Sequence, residues 1–251
     1  MRSPDAPRGL GCAVILLLLA AWQAVAWSGV VRPIFLSSPL AIARAPFGMD
    51  LHELGTAALT SVRTFSLGMS LTVIAGVAVG LLLGVNRRLD AAFSPLLAIL
   101  QAMPRVAFAP FLILWLGIGA ASVVALIVMN AIVLVIATTA TGVRNTDPGL
   151  IETARAFGAS PSQVVRTVLL PASVPHVLAG IRLAVGRGLL SMVVGEFLTS
   201  TGGVGYLIRD YASSFQTDRM FVGIAIVTLA GVTLNSLLEW FERRLQPWRP
   251  A

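Results

Sequence analysis

The chain of 251 residues is far too apolar for an ordinary soluble domain, since 57% of its residues are hydrophobic, 12% are charged and its mean hydropathy is +0.87. Its basic residues are all arginine. A Walker-type ATPase needs a lysine on the β- and γ-phosphates, so the chain does not carry one. The net charge of +7 does not indicate nucleic acid, because no basic cluster is interleaved with aromatic residues. The single Cys12 excludes an internal disulfide.

Six apolar runs have about the length that a bilayer requires, roughly 20 residues each. The first, residues 10–27, follows Arg2 and Arg8 and could be a retained helix or a secretory signal peptide, because residues 24–26 form a small-residue triplet. We expect the retained helix, because further spans follow it. The other five predicted spans are residues 64–85, 96–116, 122–141, 181–199 and 221–238.

The predicted organisation is one membrane domain with an N-terminal extension. Residues 1–55 hold the first span and an external segment, in which apolar residues around Leu51 could form a short helix at the membrane surface. Residues 56–245 form the transmembrane domain, and residues 246–251 form a cytoplasmic tail. A row of glycines in the second run favours close packing of helices in lipid, although a flexible segment would have the same composition. These glycines are Gly68, Gly76, Gly80 and Gly84.

Arginine bias in the short loops predicts the orientation of the spans. The loop after the second span has Arg87 and Arg88 against one acidic residue, whereas the loop after the third span has no charge. The loop after the fourth span is rich in arginine, and so is the C-terminal end. This pattern predicts that both termini lie in the cytoplasm, together with the loop between the fourth and fifth spans.

The loop between the fourth and fifth spans contains the signals of two short helices. Residues 147–148, an Asp-Pro pair, place an N-cap before a proline at the first helical position. Gly158 offers the left-handed conformation that ends many helices. Ser160 and Gln163 have the spacing of a capping box, so a second helix begins there. Pro171 lacks an N–H donor and is expected to end that helix.

The same loop resembles the EAA loop of ATP-binding-cassette (ABC) importer permeases. The family pattern is E-A-A, three residues, G, nine residues and I-x-L-P. This sequence has the same spacing, with threonine for the first alanine and valine for the isoleucine. The matching residues are Glu152, Thr153, Ala154, Gly158, Val168, Leu170 and Pro171.

Two further segments resemble one subgroup of these permeases. They are residues 104–119 and the pair Glu196-Phe197 followed by residues 202–208. The subgroup imports sulfonates, taurine, nitrate or bicarbonate, and thiamine precursors. The resemblance therefore implies that the chain moves a small solute of this kind into the cytoplasm.

The resemblance also implies an all-α type I importer permease fold, with about six transmembrane helices, in the bacterial inner membrane. Its paired cytoplasmic helices would dock on a separate ATPase dimer, which binds the ATP, so the chain would need no cofactor and would not be an enzyme. The other implied partners are a periplasmic substrate-binding protein and a second permease copy, with a homodimer as the default.

The ATPase-coupling residues would be those of the loop motif together with Phe157. The spacing i, i+3, i+6 places Ile151, Ala154 and Phe157 on one helix face, where they form an apolar stripe for the partner to bury. A solvated amphipathic loop without a partner is the alternative interpretation.

Two ionisable residues could line a substrate path. Arg105 follows Pro104 inside the third run, where a charge is costly unless it faces protein or water, and it could instead lie at the membrane surface. Glu196 lies near the outer end of the fifth run and could guard the path or pair with an arginine.

Other classes of membrane protein fit the sequence less well. Neither His52 nor His176 lies in a predicted span and no H-E-x-x-H spacing occurs, so we predict no metal site and no catalytic residue. An intramembrane hydrolase would lack its nucleophile and base. An ion-coupled secondary carrier remains the alternative function, because such carriers also place ionisable residues within the membrane.

Overall fold

The computed structural model describes residues 8–32, 34–199 and 202–245, and within these ranges the chain forms helices and turns without a strand. This confirms the predicted all-α class. The predicted tail, residues 246–251, lies outside the described residues. The helices are α1 (Arg8–Trp27), α2 (Pro39–Arg44), α3 (Leu51–Val85), α4 (Arg87–Ala102), α5 (Ala109–Leu116), α6 (Ala120–Arg144), α7 (Pro148–Ala156), α8 (Pro161–Val164), α9 (Leu170–Thr199), α10 (Val204–Ser213) and α11 (Thr217–Leu245), with 3-10 turns at Ala45–Gly48 and Arg105–Phe108 and a π-helical turn at Val165–Leu169.

The centre of the bundle is α6, which packs along its length against both α3 and α9. The side chains that these three helices bury are apolar, and their close van der Waals packing stabilises the bundle. This central core consists of Phe65, Met69, Val123, Ile127, Ala131, Val135, Ala184, Val185 and Met192.

Glycines bring α3 directly against α6. A Cβ built on Gly76 would lie 2.8 Å from Val135 Cβ, and one built on Gly84 would lie 2.6 Å from Val143 Cβ. Both distances are shorter than real carbon contacts, so only glycine allows this approach. The prediction of close packing is confirmed. Because the contact positions rise together along both helices, α3 and α6 run parallel.

Helix α9 runs antiparallel to α6. A Cβ on Gly142, near the end of α6, would lie 2.6 Å from His176 Cβ, near the start of α9. A Cβ on Gly195, near the end of α9, would lie 3.1 Å from Val123 Cγ1, near the start of α6. The positions therefore fall along one helix as they rise along the other.

Helix α11 runs antiparallel to α9, since Gly231 faces Leu189 and an ion pair joins Arg182 to Glu242 further along. The bundle thus has two ends. We call one the α7 end, where α3 and α6 finish and toward which α11 runs. The opposite end holds the starts of α3, α6 and α11. This geometry is the one that the arginine bias predicts, but which end faces the cytoplasm stays a prediction.

Four helices in the described part of the chain are long and apolar enough to cross a membrane, and a fifth span results if the bent pair α4–α5 crosses as one. The sequence predicts six spans, including residues 10–27. Within α1 the apolar stretch is Ala13–Trp27, which is shorter than the other spans. Helix α1 nevertheless packs on the bundle, because the Trp22 ring lies 5.5 Å from the Phe221 ring.

The predicted span 96–116 is not a single continuous helix. The chain bends by 83° between Arg87–Ala102 and Arg105–Leu116. Met103 is extended, with ψ of 136°, because the residue before a proline is disfavoured in the helical region. Pro104 cannot donate the next helical hydrogen bond. The pair still crosses the bundle, since an ion pair joins Asp90 to Arg144 at the α7 end, whereas α5 leads into the start of α6 at the opposite end.

Two other predicted helix ends are also wrong. Pro171 does not end a helix, because a continuous helical segment runs from Pro161 to Leu198 and contains all of the predicted span 181–199 except its last residue. The π-helical turn Val165–Leu169 comes just before Pro171 and gives room for its ring and missing donor. Leu51 starts α3 itself and not a separate helix, so the predicted domain boundary between residues 55 and 56 falls inside α3.

Candidate functional site

The loop between α6 and α9 begins with a capped helix at the α7 end. Asp147 Oδ1 accepts a hydrogen bond of 2.8 Å from the Gly149 N–H, and Pro148 occupies the first turn of α7. The carboxylate satisfies a donor that the helix leaves unpaired. The predicted N-terminal cap is therefore confirmed.

Helix α7 ends in a Schellman motif. Gly158 has a φ of +79°. Its N–H donates to Arg155 O at 2.9 Å, and the Ala159 N–H donates to Ala154 O at 3.0 Å. These two bonds satisfy the last carbonyls of the helix, and the left-handed residue between them is the position at which glycine is favoured. The prediction for Gly158 is confirmed.

The second helix starts almost at once. The Ser160 N–H donates to Gln163 Oε1 at 2.7 Å, and the Gln163 N–H donates to Ser160 Oγ at 3.4 Å, which completes the predicted capping box. Three consecutive hydrogen-bonded devices thus hold the corner between α7 and α8. A corner held in this way can transmit a displacement without first deforming.

The underside of this corner is part of the hydrophobic core. Val143, Val164 and Leu169 are buried here, and Ile151, Ala154 and Val168 pack on them. The predicted apolar stripe is therefore divided. Ile151 and Ala154 pack inside the chain, so they are not free for a partner, because three-residue steps drift around a helix of 3.6 residues per turn.

The outer surface of the corner carries the remaining motif residues. Phe157, at the end of α7, is 88% exposed, and Leu150 is 53% exposed on the same helix. Glu152, Thr153 and Pro171 are also exposed, whereas Val168 and Leu170 are half-buried. The structure describes no ion pair for Glu152. The sequence-predicted coupling residues thus form one continuous segment, with some on its outer surface and others in its support.

Both ends of this segment continue into central helices. Three residues separate the end of α6 from Pro148, and α8 passes through the π-helical turn into α9 without a break. A displacement of the corner would therefore move α6 and α9 directly. Helix α9 also carries Glu196, and α6 contacts Arg105, and these are the two residues that the sequence predicts for a substrate path.

Arg105 lies inside the bundle and not at its edge, so the prediction of a position at the membrane surface is wrong. Its residue is 4% exposed. Its Nη1 donates to Met129 O at 3.1 Å and to Asn130 O at 2.9 Å. Both carbonyls belong to the middle of α6. The bend at Pro104 carries the arginine to this depth, which the straight-span prediction could not show.

Glu196 is 1% exposed at the opposite end of α9. The prediction of an arginine partner is wrong. Its carboxylate instead accepts hydrogen bonds from Ser61 Oγ and, at 2.9 Å, from the Gly205 N–H in the first turn of α10. A helix N-terminus stabilises an anion, so these donors replace a cation. A Cβ on Gly203 would lie 2.4 Å from the Glu196 carboxyl carbon, and glycine there lets the chain close over it.

Sequence reasoning missed one partner of these residues and one further arginine of the bundle. Ser61 carries no signal in the sequence, because its importance depends on a contact 135 residues away. Arg187 intrudes visibly into the fifth apolar run but is not among the predicted path residues. The sequence feature that could have found it is an arginine in a span without an acidic residue within one turn.

Comparison with known proteins places this geometry in a family. Residues 73–247 match the family described as "Binding-protein-dependent transport system inner membrane component". The chain is 34% identical over 234 residues to the putative aliphatic sulfonates transport permease protein SsuC of Bacillus subtilis, covering 93% of this chain and 85% of that one. It is 28% identical over 245 residues to the taurine transport system permease protein TauC of Escherichia coli, covering 95% and 89%.

The fold is also found among solved structures. The chain is similar to a chain of the inward-facing MetNI methionine ABC transporter, with a TM-score of 0.67 and 20% sequence identity. The similarity covers 78% of this chain and 97% of that one. At this identity the comparison concerns the fold alone, and it confirms the type I importer permease architecture.

Proposed function

Since the chain belongs to the family of binding-protein-dependent transport system inner membrane components and is therefore a permease subunit of an ABC importer, we propose that the corner between α7 and α8 is its docking site for a separate ATPase. The observation that carries this proposal is the exposure of Phe157, 88% of whose surface is free on a corner held by three hydrogen-bonded devices. A large apolar side chain in that position is suited to fill a pocket on a partner.

The docking residues are those of the loop motif, in two roles. Glu152, Thr153, Phe157 and Gly158 form the exposed surface, with Pro171 exposed beyond the corner. Ala154, Val168 and Leu170 support this surface from below. The ATPase dimer closes when it binds ATP, and the rigid corner passes that movement to α6 and α9. The chain itself holds no nucleotide, because the partner binds the ATP.

The membrane-embedded assembly contains two permease chains. The described part of this chain provides four or five spans, and symmetric homodimers are the commonest assembly, so the second chain is a copy of the first. A periplasmic substrate-binding protein delivers the solute at the opposite end. The α7 end faces the cytoplasm, as the arginines of its loops require. The protein is a multi-pass component of the inner membrane.

The transported solute is a small one of the sulfonate, taurine or nitrate type, and a thiamine precursor is the further candidate. The names of the two relatives support the first group, because they refer to aliphatic sulfonates and to taurine. The alternative of an ion-coupled carrier has less support, since the docking corner would then have no partner.

The test of this function uses two matched phenylalanines. Phe157 and Phe47 are 88% and 92% exposed at the two ends of the bundle. Burying a phenylalanine side chain contributes about 1.5–3 kcal/mol, which is roughly tenfold or more in affinity. We expect Phe157→Ala to lower co-purification of the ATPase at least tenfold, whereas Phe47→Ala keeps it. Equal co-purification of both variants would contradict docking at this corner.

A further inference from the structure

A buried cation for which the described residues provide no counter-ion lies halfway through the bundle. Arg105 is 4% exposed, and both its hydrogen bonds run from Nη1 to main-chain carbonyls, those of Met129 and Asn130. Nε and Nη2 of Arg105 make no hydrogen bond within the described residues. Both atoms keep some accessible surface, because neither is among the completely buried polar atoms without a partner. These donors therefore remain available to a group that enters the bundle.

A second arginine lies at the same depth. Arg187 lies in α9 beside Gly188. A Cβ built on Gly188 would lie 3.6 Å from Ile127 Cγ2 on α6, and Ile127 is less than one helical turn from Met129. Helix α5, which follows the turn that carries Arg105, contacts α9 as well. Arg187 is exposed, and Leu183 and Leu190 on the same helix are 56% and 60% exposed.

A charge at this depth cannot face lipid at low cost, so this face of α9 borders protein or a water-filled path. The contrast with Arg182, one and a half turns earlier on α9, is informative. Arg182 forms an ion pair with Glu242 and lies 4.0 Å from Glu239. The charge of Arg187 has no such partner in the described part of the chain.

Acidic residues of the described chain lie at other levels. Those at the α7 end are Asp90, Asp147 and Glu152, those toward the opposite end are Asp50, Glu53, Glu196, Asp210 and Asp218, and those paired with Arg182 are Glu239 and Glu242. A second copy that covered this face would repeat the same side chains and bring no carboxylate to this level. Two copies would bring four arginines together instead.

We propose that Arg105 and Arg187 form an anion-binding site midway across the membrane, which takes the oxyanion group of the transported solute, a sulfonate, nitrate or carboxylate. This inference rests on the proposed function and adds to it the residues that would bind the charged group of the solute. Planar guanidinium groups bind oxyanions through paired hydrogen bonds, and the Nε and Nη2 donors of Arg105 are free to form such a pair. The π-helical turn and α9 connect this site to the docking corner, so the movement that the ATPase drives reaches Arg187 directly.

The experiment uses the full transporter, assembled with its ATPase and substrate-binding protein and reconstituted in proteoliposomes. Import is measured for ethanesulfonate, taurine, nitrate and an uncharged pyrimidine. Arg187→Gln is the main variant, because Arg187 is exposed and its loss leaves the core packed. We expect at least a tenfold fall in import of the anion that the wild type transports, with ATP hydrolysis stimulated by the loaded binding protein within twofold of the wild type.

Two further variants distinguish charge from structure. Arg187→Lys keeps the positive charge and should recover at least half of the import rate. Arg182→Gln removes a paired arginine from the same helix, and it should retain import per assembled complex. Arg105→Gln is expected to act like Arg187→Gln where the complex still assembles.

Three results would overturn the site. They are wild-type import of the anion by Arg187→Gln, equal losses in Arg187→Gln and Arg187→Lys, and a wild-type transporter that imports only the uncharged pyrimidine. A wild-type complex that imports none of the four solutes on ATP addition would instead count against the proposed function. The two failures are therefore distinguishable.

Discussion

Ser61 on α3 and Glu196 on α9 are 135 residues apart in the sequence, yet Ser61 Oγ lies 2.8 Å from each carboxylate oxygen of Glu196. The same hydroxyl accepts a hydrogen bond of 2.8 Å from the Val204 N–H. Together with the Gly205 N–H, it ties α3, α9 and the first turn of α10 into one unit at the end opposite the docking corner. The end opposite the docking corner is therefore held together by hydrogen bonds as well.

Ser61→Ala should destabilise the protein measurably. The change removes a donor from a buried carboxylate, and a hydrogen bond to a charged group contributes about 1.5–3 kcal/mol. Thermal unfolding of the detergent-solubilised protein should show a lower midpoint, while Ser66→Ala, at an exposed position of the same helix, should leave it unchanged. A non-additive effect with Glu196→Gln is expected in a double-mutant cycle. Identical midpoints for both serine variants would disprove the role of Ser61.

Glycine-to-alanine changes on α3 should have opposite signs at two positions. A Cβ on Gly80 would lie 2.6 Å from Thr139 Cβ and 2.8 Å from the Ile136 carbonyl oxygen, so Gly80→Ala must push α3 away from α6. Gly55 has nothing within 4 Å, and alanine there should favour the helix by up to about 1 kcal/mol. Thermal unfolding in detergent compares the two. If Gly80→Ala were as stable as Gly55→Ala, the close packing would not matter.

Gly158→Val should uncouple the permease from its ATPase without removing it from the membrane. A residue with a Cβ needs about 1–2 kcal/mol to adopt the left-handed conformation, and nothing in the chain lies within 4 Å of that Cβ, so the effect stays local. The assays are co-purification of the ATPase and uptake in cells that lack the native permease. Glu152→Lys should act similarly, since it reverses a charge on the exposed surface.

The control for this prediction is Gly117→Val. Gly117 has the same φ of +79° and likewise has nothing within 4 Å of its Cβ, but it lies at the opposite end of the bundle. Its ψ of 176° makes the position at least as unfavourable for a residue with a Cβ, so the variant carries backbone strain without touching the docking corner. Co-purification should be lost in Gly158→Val and kept in Gly117→Val. Loss in both variants would point to strain alone.

Reporter fusions should locate the α7 end in the cytoplasm. Fusions after Arg88, within residues 144–171 and at the C-terminus are expected to report the cytoplasm, and fusions near Gly119 and Ser213 the outside, because the arginines of the loops favour this orientation. An outside signal from residues 144–171 would exclude docking of a cytoplasmic ATPase at this corner.

Much of the docking corner could be predicted from the sequence, because its structure is local. The cap at Asp147, the left-handed Gly158 and the Ser160–Gln163 box depend on residues within a few positions of one another, so their spacing alone predicts them. The same is true of the apolar runs, since a membrane span is a property of composition over about 20 residues.

Proline effects were harder to predict. Pro104 breaks its run, whereas Pro171 lies in a continuous helix, although both lack the same donor. The difference is the π-helical turn before Pro171, which makes room for the ring and depends on how Leu169 and Val164 pack in the core. Sequence spacing does not contain that packing.

The sequence by itself determined the membrane class, the family and the position of the docking corner, because each depends on composition or on short-range spacing. Only the tertiary structure decided that Glu196 is held by Ser61 and the start of α10, and that Arg105 and Arg187 lie at one depth of the bundle. These relationships join residues far apart in the chain. They follow from the close, glycine-mediated packing of α3, α6 and α9, which no single segment specifies alone.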